Sequence, residues 1–266
     1  MQRVPTRIKH CGITSLDDAH RAAESGAWAL GMIFWPGSPR RCELAEAQLI
    51  GAALRRTVQL TGVFVNASFE QIDETVQTAS LSLVQLHGDE GPAFCNEVAR
   101  RTGAKVIKAS RVLSKATLQA AAAFHTDFHL LDAHVAGMPG GTGQTVDWEL
   151  VRRHGFASPI ILSGGLTPGN VEAAIAATAP FAVDVASGTE LAPGVKDPDR
   201  LAAFARAVRA ADGIPEPKPD QSPEDHPSDE YLPGDEPEPA SQLPRRRPDP
   251  RSGDSRLGGE PAQPRG

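Results

Sequence analysis

Short runs of β-branched and aliphatic residues recur along this chain at nearly even intervals, at residues 7–11, 28–34, 58–65, 81–86, 105–108, 127–132, 159–162 and 182–185. Each is short enough for a strand. Each is followed by a segment with apolar residues at helical spacing, as in Ile72, Val76 and Ala79, or Val171, Ala174, Ile175 and Thr178. Helix starts are also marked. Ser15 to Asp18 and Ser68 to Gln71 fit capping boxes, and Thr167-Pro168 and Asp197-Pro198 set a cap before a first-turn proline.

Strands separated by helices must run parallel, and eight such units in roughly 200 residues match a compact (β/α)8 barrel, the TIM barrel. A doubly wound sheet is the next choice. No G-x-G-x-x-G follows the first run, however, and the spacing is more even than open sheets usually show. The longest intervals follow the second and sixth runs, where "WPGSPRRC" and "AHVAGMPGGTGQTV" are expected as long loops at the catalytic face.

The pattern stops near residue 213. Residues 214–266 hold 13 of the 23 prolines, 12 acids and 7 bases, with Ile214, Tyr231, Leu232, Leu243 and Leu257 as their only large apolar residues. Such a segment cannot bury enough surface to offset its chain entropy, so a disordered tail is expected after a barrel domain over 1–213. Nearly all of the formal charge of -6 belongs to that tail. The body is close to neutral, which argues against a nucleic-acid partner. Neither a signal-peptide-like start nor a run of membrane-spanning length is present, so a cytoplasmic protein with no membrane partner is expected. Cys11, Cys42 and Cys95 are odd in number and lack metal-like spacing, so neither a disulfide framework nor a metal site is expected.

In a parallel barrel the active site is built at the C-terminal ends of the strands. Cys11 ends the first strand, where the thiol is expected to face the mouth, open enough to ionise. The plain alternative is a small buried hydrophobe. Asp132 ends the sixth strand after "FHLL"; it could brace the next loop or form an acid and base pair with Cys11. His87 and Asp184 read as supporting polar contacts. Bare glycine turns follow the seventh and eighth strands, at Ser163-Gly164-Gly165-Leu166 and Ala186-Ser187-Gly188-Thr189, where barrels commonly bind phosphate with backbone N–H groups. A third cluster ends in Gly143 and could close over the same ligand. Arg40 in the second loop could grip a carboxylate through two parallel hydrogen bonds, or be a solvated loop arginine. Lys9 and Lys108 lie within strands, where pairing with an acid is the common outcome and a catalytic amine the alternative.

Taken together, "KHCGIT", "GSPR", "TGVFVN", "VQLHGDE", "LLDA", "GGTGQTVDW", "LSGGL" and "DVASGTE" followed by "PGVKD" resemble one family, the phosphoribosylanthranilate isomerases of tryptophan biosynthesis. The motifs fall in the family's order and cover about residues 7 to 210. The tail has no counterpart. The resemblance implies an Amadori rearrangement of N-(5-phosphoribosyl)anthranilate, the third step from chorismate to tryptophan, without metal or cofactor. By motif, Cys11 becomes the general base and Asp132 the general acid, protonated through burial against its apolar strand. Arg40 would hold the anthranilate carboxylate. The backbones of Gly143, Gly164, Gly165, Ser187 and Gly188 would surround the phosphate.

Three rivals remain. A histidine-pathway aminoaldose isomerase performs the same rearrangement, but it would carry an aspartate at Cys11 and a half-barrel repeat. A phosphopentose epimerase would need a metal-binding cluster that His87 alone does not supply. A catalytically dead scaffold would leave the working part to the tail, whose partner is unknown; a tail truncation separates this from the enzyme reading.

Overall fold

A computed structural model describes residues 4–112, 114–132, 148–152 and 156–215. Eight parallel strands, β1 Arg7–Cys11, β2 Ala29–Ile33, β3 Gln59–Phe64, β4 Leu83–Leu86, β5 Lys105–Arg111, β6 Phe128–Asp132, β7 Ile160–Ser163 and β8 Ala182–Val185, close on themselves in sequence order. Arg7 to His10 pair with Ala182 to Val185 along the closing seam. That closure removes the doubly wound alternative. The described helices are α1 Leu16–Glu24, α2 Leu44–Leu54, α3 Phe69–Ala79, α4 Pro92–Thr102, α5 Lys115–Ala121, α6 Trp148–Arg152, α7 Val171–Thr178 and α8 Pro198–Ala211. A 3-10 turn at Ser187–Thr189 and a small hairpin, β9 Glu190–Ala192 with β10 Val195–Lys196, lie between β8 and α8.

The expected helix starts hold unequally. Ser68 and Gln71 exchange both bonds of a capping box. Ser15 accepts from Asp18 N, but the return bond is missing because the Asp18 carboxylate is drawn elsewhere, to Lys196 N at 2.9 Å and Arg21 Nη1 at 3.2 Å. Asp197 caps α8 as expected. Thr167 does not cap α7. The helix begins three residues later, after Asn170, whose amide ties back to Thr167 N and Gly165 O and shapes the turn that follows β7.

Because side chains alternate across a strand, each strand gives one set of residues to the barrel interior and one to the helices. Ala29, Leu83, Ile107, Ala109, Phe128, Leu130, Ile161 and Ala182 make an apolar interior cluster, with Trp28 and Phe181 packed against it. Trp28, Phe128 and Phe181 meet with ring centroids 5.2 to 5.5 Å apart. The opposite faces of the strands pack on the helices. His10, for example, is fully buried between Ser25 Oγ at 3.3 Å and the edge of Phe204 on α8. The first and last parts of the described body are tied together where the Asp212 carboxylate accepts from Thr6 N and Oγ1. Of the expected tail, residues from 216 onward lie outside the described residues.

Candidate active site

β1 directs Lys9 and Cys11 inward, and β8 places Asp184 across from Lys9. Lys9 Nζ donates to Asp184 Oδ1 at 2.6 Å, and Ser163 Oγ at the end of β7 donates to Oδ2 at 3.0 Å. Burial works against the Lys9 ammonium, but Asp184 and Cys11 outweigh it and hold its pKa above the ordinary lysine value. The expectation of pairing is met here. It is met differently at Lys108, whose side chain points away from the barrel interior and reaches Glu90 Oε2 at 2.9 Å and Gly88 O at 2.7 Å. Glu90 also accepts from Asn66 N and Gly88 N, so the "TGVFVN" and "VQLHGDE" motifs join two neighbouring loops.

Cys11 lies at the mouth, but not in the open setting expected of it. Only 6% of its surface is exposed, and burial pushes the thiol pKa up. Lys9 pulls in the other direction first, Asp184 opposes it, and Lys196 helps it. The physical reason is enclosure by groups from β2, β8 and the β9–β10 hairpin, which a sequence position alone does not reveal. Cys42 and Cys95 are also buried, and both thiols are raised, Cys42 to about 12 through burial and then Glu46 and Glu43. Both read as inert.

Asp132 ends β6 on an inward position, half-buried, with Arg111 and Ser163 as its register partners on β5 and β7. His87 follows β4, and its Nδ1 accepts from Gln85 Nε2 at 2.9 Å. Burial lowers its pKa, while Asp132 and Asp184 oppose the shift. A neutral imidazole therefore stands within electrostatic reach of both carboxylates. Cys11, Lys9, Asp184, His87 and Asp132 thus share one barrel mouth.

The two glycine turns are brought together as well. Gly164 and Gly165 have φ of 107° and 63°, a left-handed stretch that turns the chain sharply after β7. A Cβ on Gly188 would sit 2.0 Å from Leu166 O, so the two turns touch only because Gly188 has no side chain. Gly143 lies outside the described residues.

Arg40 is not a solvated loop residue. Its Nε donates to both Glu190 oxygens at 2.9 Å, and Nη2 donates to Oε2 at 2.8 Å. Glu190 is buried, and it also meets the fully buried Lys196 at 3.2 Å. Burial opposes the Glu190 charge, yet the bonds from Arg40 and the Lys196 ammonium hold its pKa below the usual carboxylate range. Lys196 Nζ further donates to Cys11 O at 2.7 Å and Ala186 O at 3.1 Å, joining the end of β1 to the turn after β8. Glu190, Lys196 and Gly31 of β2 are the residues that sequence reasoning missed. The signal was present for the first two, since both are charged residues inside the "DVASGTE" and "PGVKD" motifs.

Among the described residues, no group of three or more His, Cys, Asp or Glu side chains is placed to hold a metal ion, and no helix is long and apolar enough to cross a membrane.

Residues 8–207 match the family model for N-(5'-phosphoribosyl)anthranilate (PRA) isomerase. The N-(5'-phosphoribosyl)anthranilate isomerase of Pseudomonas fluorescens (strain SBW25) is 45% identical over 209 residues, covering 78% of this chain and 97% of its own. The crystal structure of phosphoribosyl anthranilate isomerase from Thermotoga maritima superposes with a TM-score of 0.70 at 40% identity, over 77% of this chain and 99% of that one. A second structure of such an isomerase, in complex with reduced 1-(o-carboxyphenylamino)-1-deoxyribulose 5-phosphate, gives 0.67 at 38% identity over the same shares. With a closed eightfold barrel, a family model matched over residues 8–207 and relatives aligned over almost their full length, this chain belongs to the N-(5'-phosphoribosyl)anthranilate isomerase family of tryptophan biosynthesis.

Proposed function

We propose that Cys11 and Asp132 are the general base and general acid of a phosphoribosylanthranilate isomerase. The observation that carries this reading is their placement at the ends of β1 and β6 in one barrel mouth, beside two touching backbone turns suited to a phosphate. Asp132 protonates the furanose ring oxygen of N-(5-phosphoribosyl)anthranilate, and the ring opens to a Schiff base as the anthranilate nitrogen lends its electron pair. Cys11, as thiolate, then removes the C2 proton. The resulting enolamine tautomerises to the ketone, 1-(2-carboxyphenylamino)-1-deoxyribulose 5-phosphate. The steps are proton transfers and the C–O cleavage that the first of them assists, and none needs a cofactor.

The backbones of Gly164, Gly165, Ser187 and Gly188, together with Gly143, hold the phosphate in this reading. Arg40 holds the anthranilate carboxylate from its loop after β2, with Glu190 fixing the guanidinium in place. His87 and Asp184 support the pair from behind. The barrel, residues 1–213, carries the whole activity in the cytoplasm, and residues 214–266 add nothing to turnover.

The test is loss of fluorescence from freshly generated phosphoribosylanthranilate, with a chelator present, for wild type, Cys11→Ser and Asp132→Asn. Wild type should turn over, and both variants should fall by about a hundredfold or more, the scale for removing a proton-transfer group. A Cys11→Ser variant with near wild-type kcat would sink the assignment of the base.

A further inference from the structure

Lys9 is completely buried and lies on the inward face of β1, two residues before Cys11. A buried ion pair kept only for stability is a poor investment, because well-packed apolar residues of similar volume are often as good or better. The Lys9–Asp184 pair also requires space from the neighbouring strand. A Cβ on Gly31 would lie 2.9 Å from Cys11 Sγ and 3.1 Å from Lys9 Nζ, closer than an unmoved side chain permits. Gly31 does not have a positive φ, so its backbone places no demand for glycine. The space itself is what glycine supplies.

We propose that Lys9 is the counterion of the Cys11 thiolate, positioned by Asp184, and that Gly31 provides the space in which ammonium and sulfur meet. The proposal rests on the reading of Cys11 as the base and names a further residue of the same proton transfer. The charges around the thiol agree with it. Lys9 on β1, Lys196 on β10 and Arg40 after β2 act on it as cations and Asp184 on β8 as a carboxylate, while Glu190 on β9 is held between Arg40 and Lys196. His87, after β4, and Asp132, at the end of β6, stand further round the same mouth. Burial and Asp184 favour the neutral thiol, and Lys9, with Lys196 beside it, is the first of the groups that favour the thiolate. When Cys11 takes the C2 proton the sulfur becomes neutral, and the electron pair of the broken C–H bond passes into the enolamine.

The experiment is the pH dependence of iodoacetamide alkylation at Cys11, followed by mass spectrometry of its peptide in the full-length chain. Wild type is compared with Lys9→Met, Lys9→Arg and Asp184→Asn. Lys9→Met should raise the alkylation midpoint by about one pH unit or more, a tenfold loss of thiolate at a given pH, and Lys9→Arg should restore most of it. Asp184→Asn should lower the midpoint, since it removes a negative charge from the sulfur and frees the ammonium for it. A merely structural pair gives no such opposite signs. An unchanged midpoint in Lys9→Met, or no fall in Asp184→Asn, overturns the proposal. Should Lys9→Met fail to fold, the isosteric Asp184→Asn decides alone, by the same fall or its absence. Alkylation needs no turnover, so a wild type inactive on phosphoribosylanthranilate that still shows these shifts would sink the isomerase assignment and leave the ion pair standing.

Discussion

The two ends of the barrel interior are lined by the same strands and could hardly differ more. Toward the N-terminal end, Ala29, Leu83, Ile107, Phe128, Leu130, Ile161 and Ala182 fill the space with apolar atoms, closed by the rings of Trp28 and Phe181. Further along, β1, β6, β7 and β8 present Lys9, Cys11, Asp132, Ser163 and Asp184, with His87 just after β4. A step of two residues keeps the side chain on the same face, so a strand can serve the core with one residue and the reaction with the next. The apolar layer supplies burial that needs no partner. In the polar layer Lys9, Cys11 and Asp184 are buried as well, while His87, Asp132 and Ser163 are half-buried, and the buried charges persist because they are paired. Stability and chemistry are thereby separated by a few ångströms along each strand.

That separation can be broken first at Leu130, which is fully buried in the apolar layer. Leu130→Ala should cost about 2–5 kcal/mol in denaturant unfolding, while the folded fraction keeps its kcat. A large fall in kcat at undiminished stability would mean the layers are not independent.

The next test lies on the outer face of β1. His10 is fully buried and its pKa is lowered from 6.5 to about 3, by burial first and then by Lys196 and Lys9. Between these values the unfolded chain takes up a proton that the folded chain refuses, so stability present above pH 6.5 is lost as the pH falls toward 3. His10→Leu should remove that loss, on the order of 3 kcal/mol between pH 7 and pH 4, from the difference in unfolding free energy. An equally steep acid loss in the variant would assign the effect to other groups.

Gly188→Ala probes the mouth without touching a charge. Its Cβ must push apart the turns after β7 and β8, so KM should rise roughly ten- to a hundredfold, the scale of one or two lost hydrogen bonds to a charged group, with kcat less affected. An unchanged KM would move the phosphate elsewhere. The smallest effect is expected outside the barrel: a chain ending at residue 215 should keep wild-type kcat/KM and melting temperature, and a loss in either would give the tail a role in the fold or the reaction.

Much of the barrel was legible because it is locally encoded. The strand runs at residues 7–11 and 182–185 match β1 and β8 at both ends, and the others are met to within a few residues. Ser68 and Asp197 act as the caps their neighbours imply. The misreadings share one cause. Thr167 lost its place at the helix start when Asn170 folded back into the turn, Asp18 was drawn away from a capping box by Lys196, and of the two readings of Cys11 the enclosed one holds, each through contacts with a turn or a distant strand. Arg40 was expected to hold a substrate carboxylate, and the bidentate partner it has within the protein, Glu190, lies 150 residues away and had no local sign.

What the sequence determined by itself was the alternation of strand and helix, the count of eight, the placing of Cys11 and Asp132 at strand ends, and the glycine turns. These follow from side-chain period, caps and backbone freedom, all of which act within a few residues. Only the tertiary structure decided that Lys9 meets Asp184 across the closing seam, that Lys196 spans Cys11 and Ala186, and that Glu190 holds Arg40. Charge pairing and desolvation depend on distance through space, and barrel closure sets those distances between residues up to 185 positions apart.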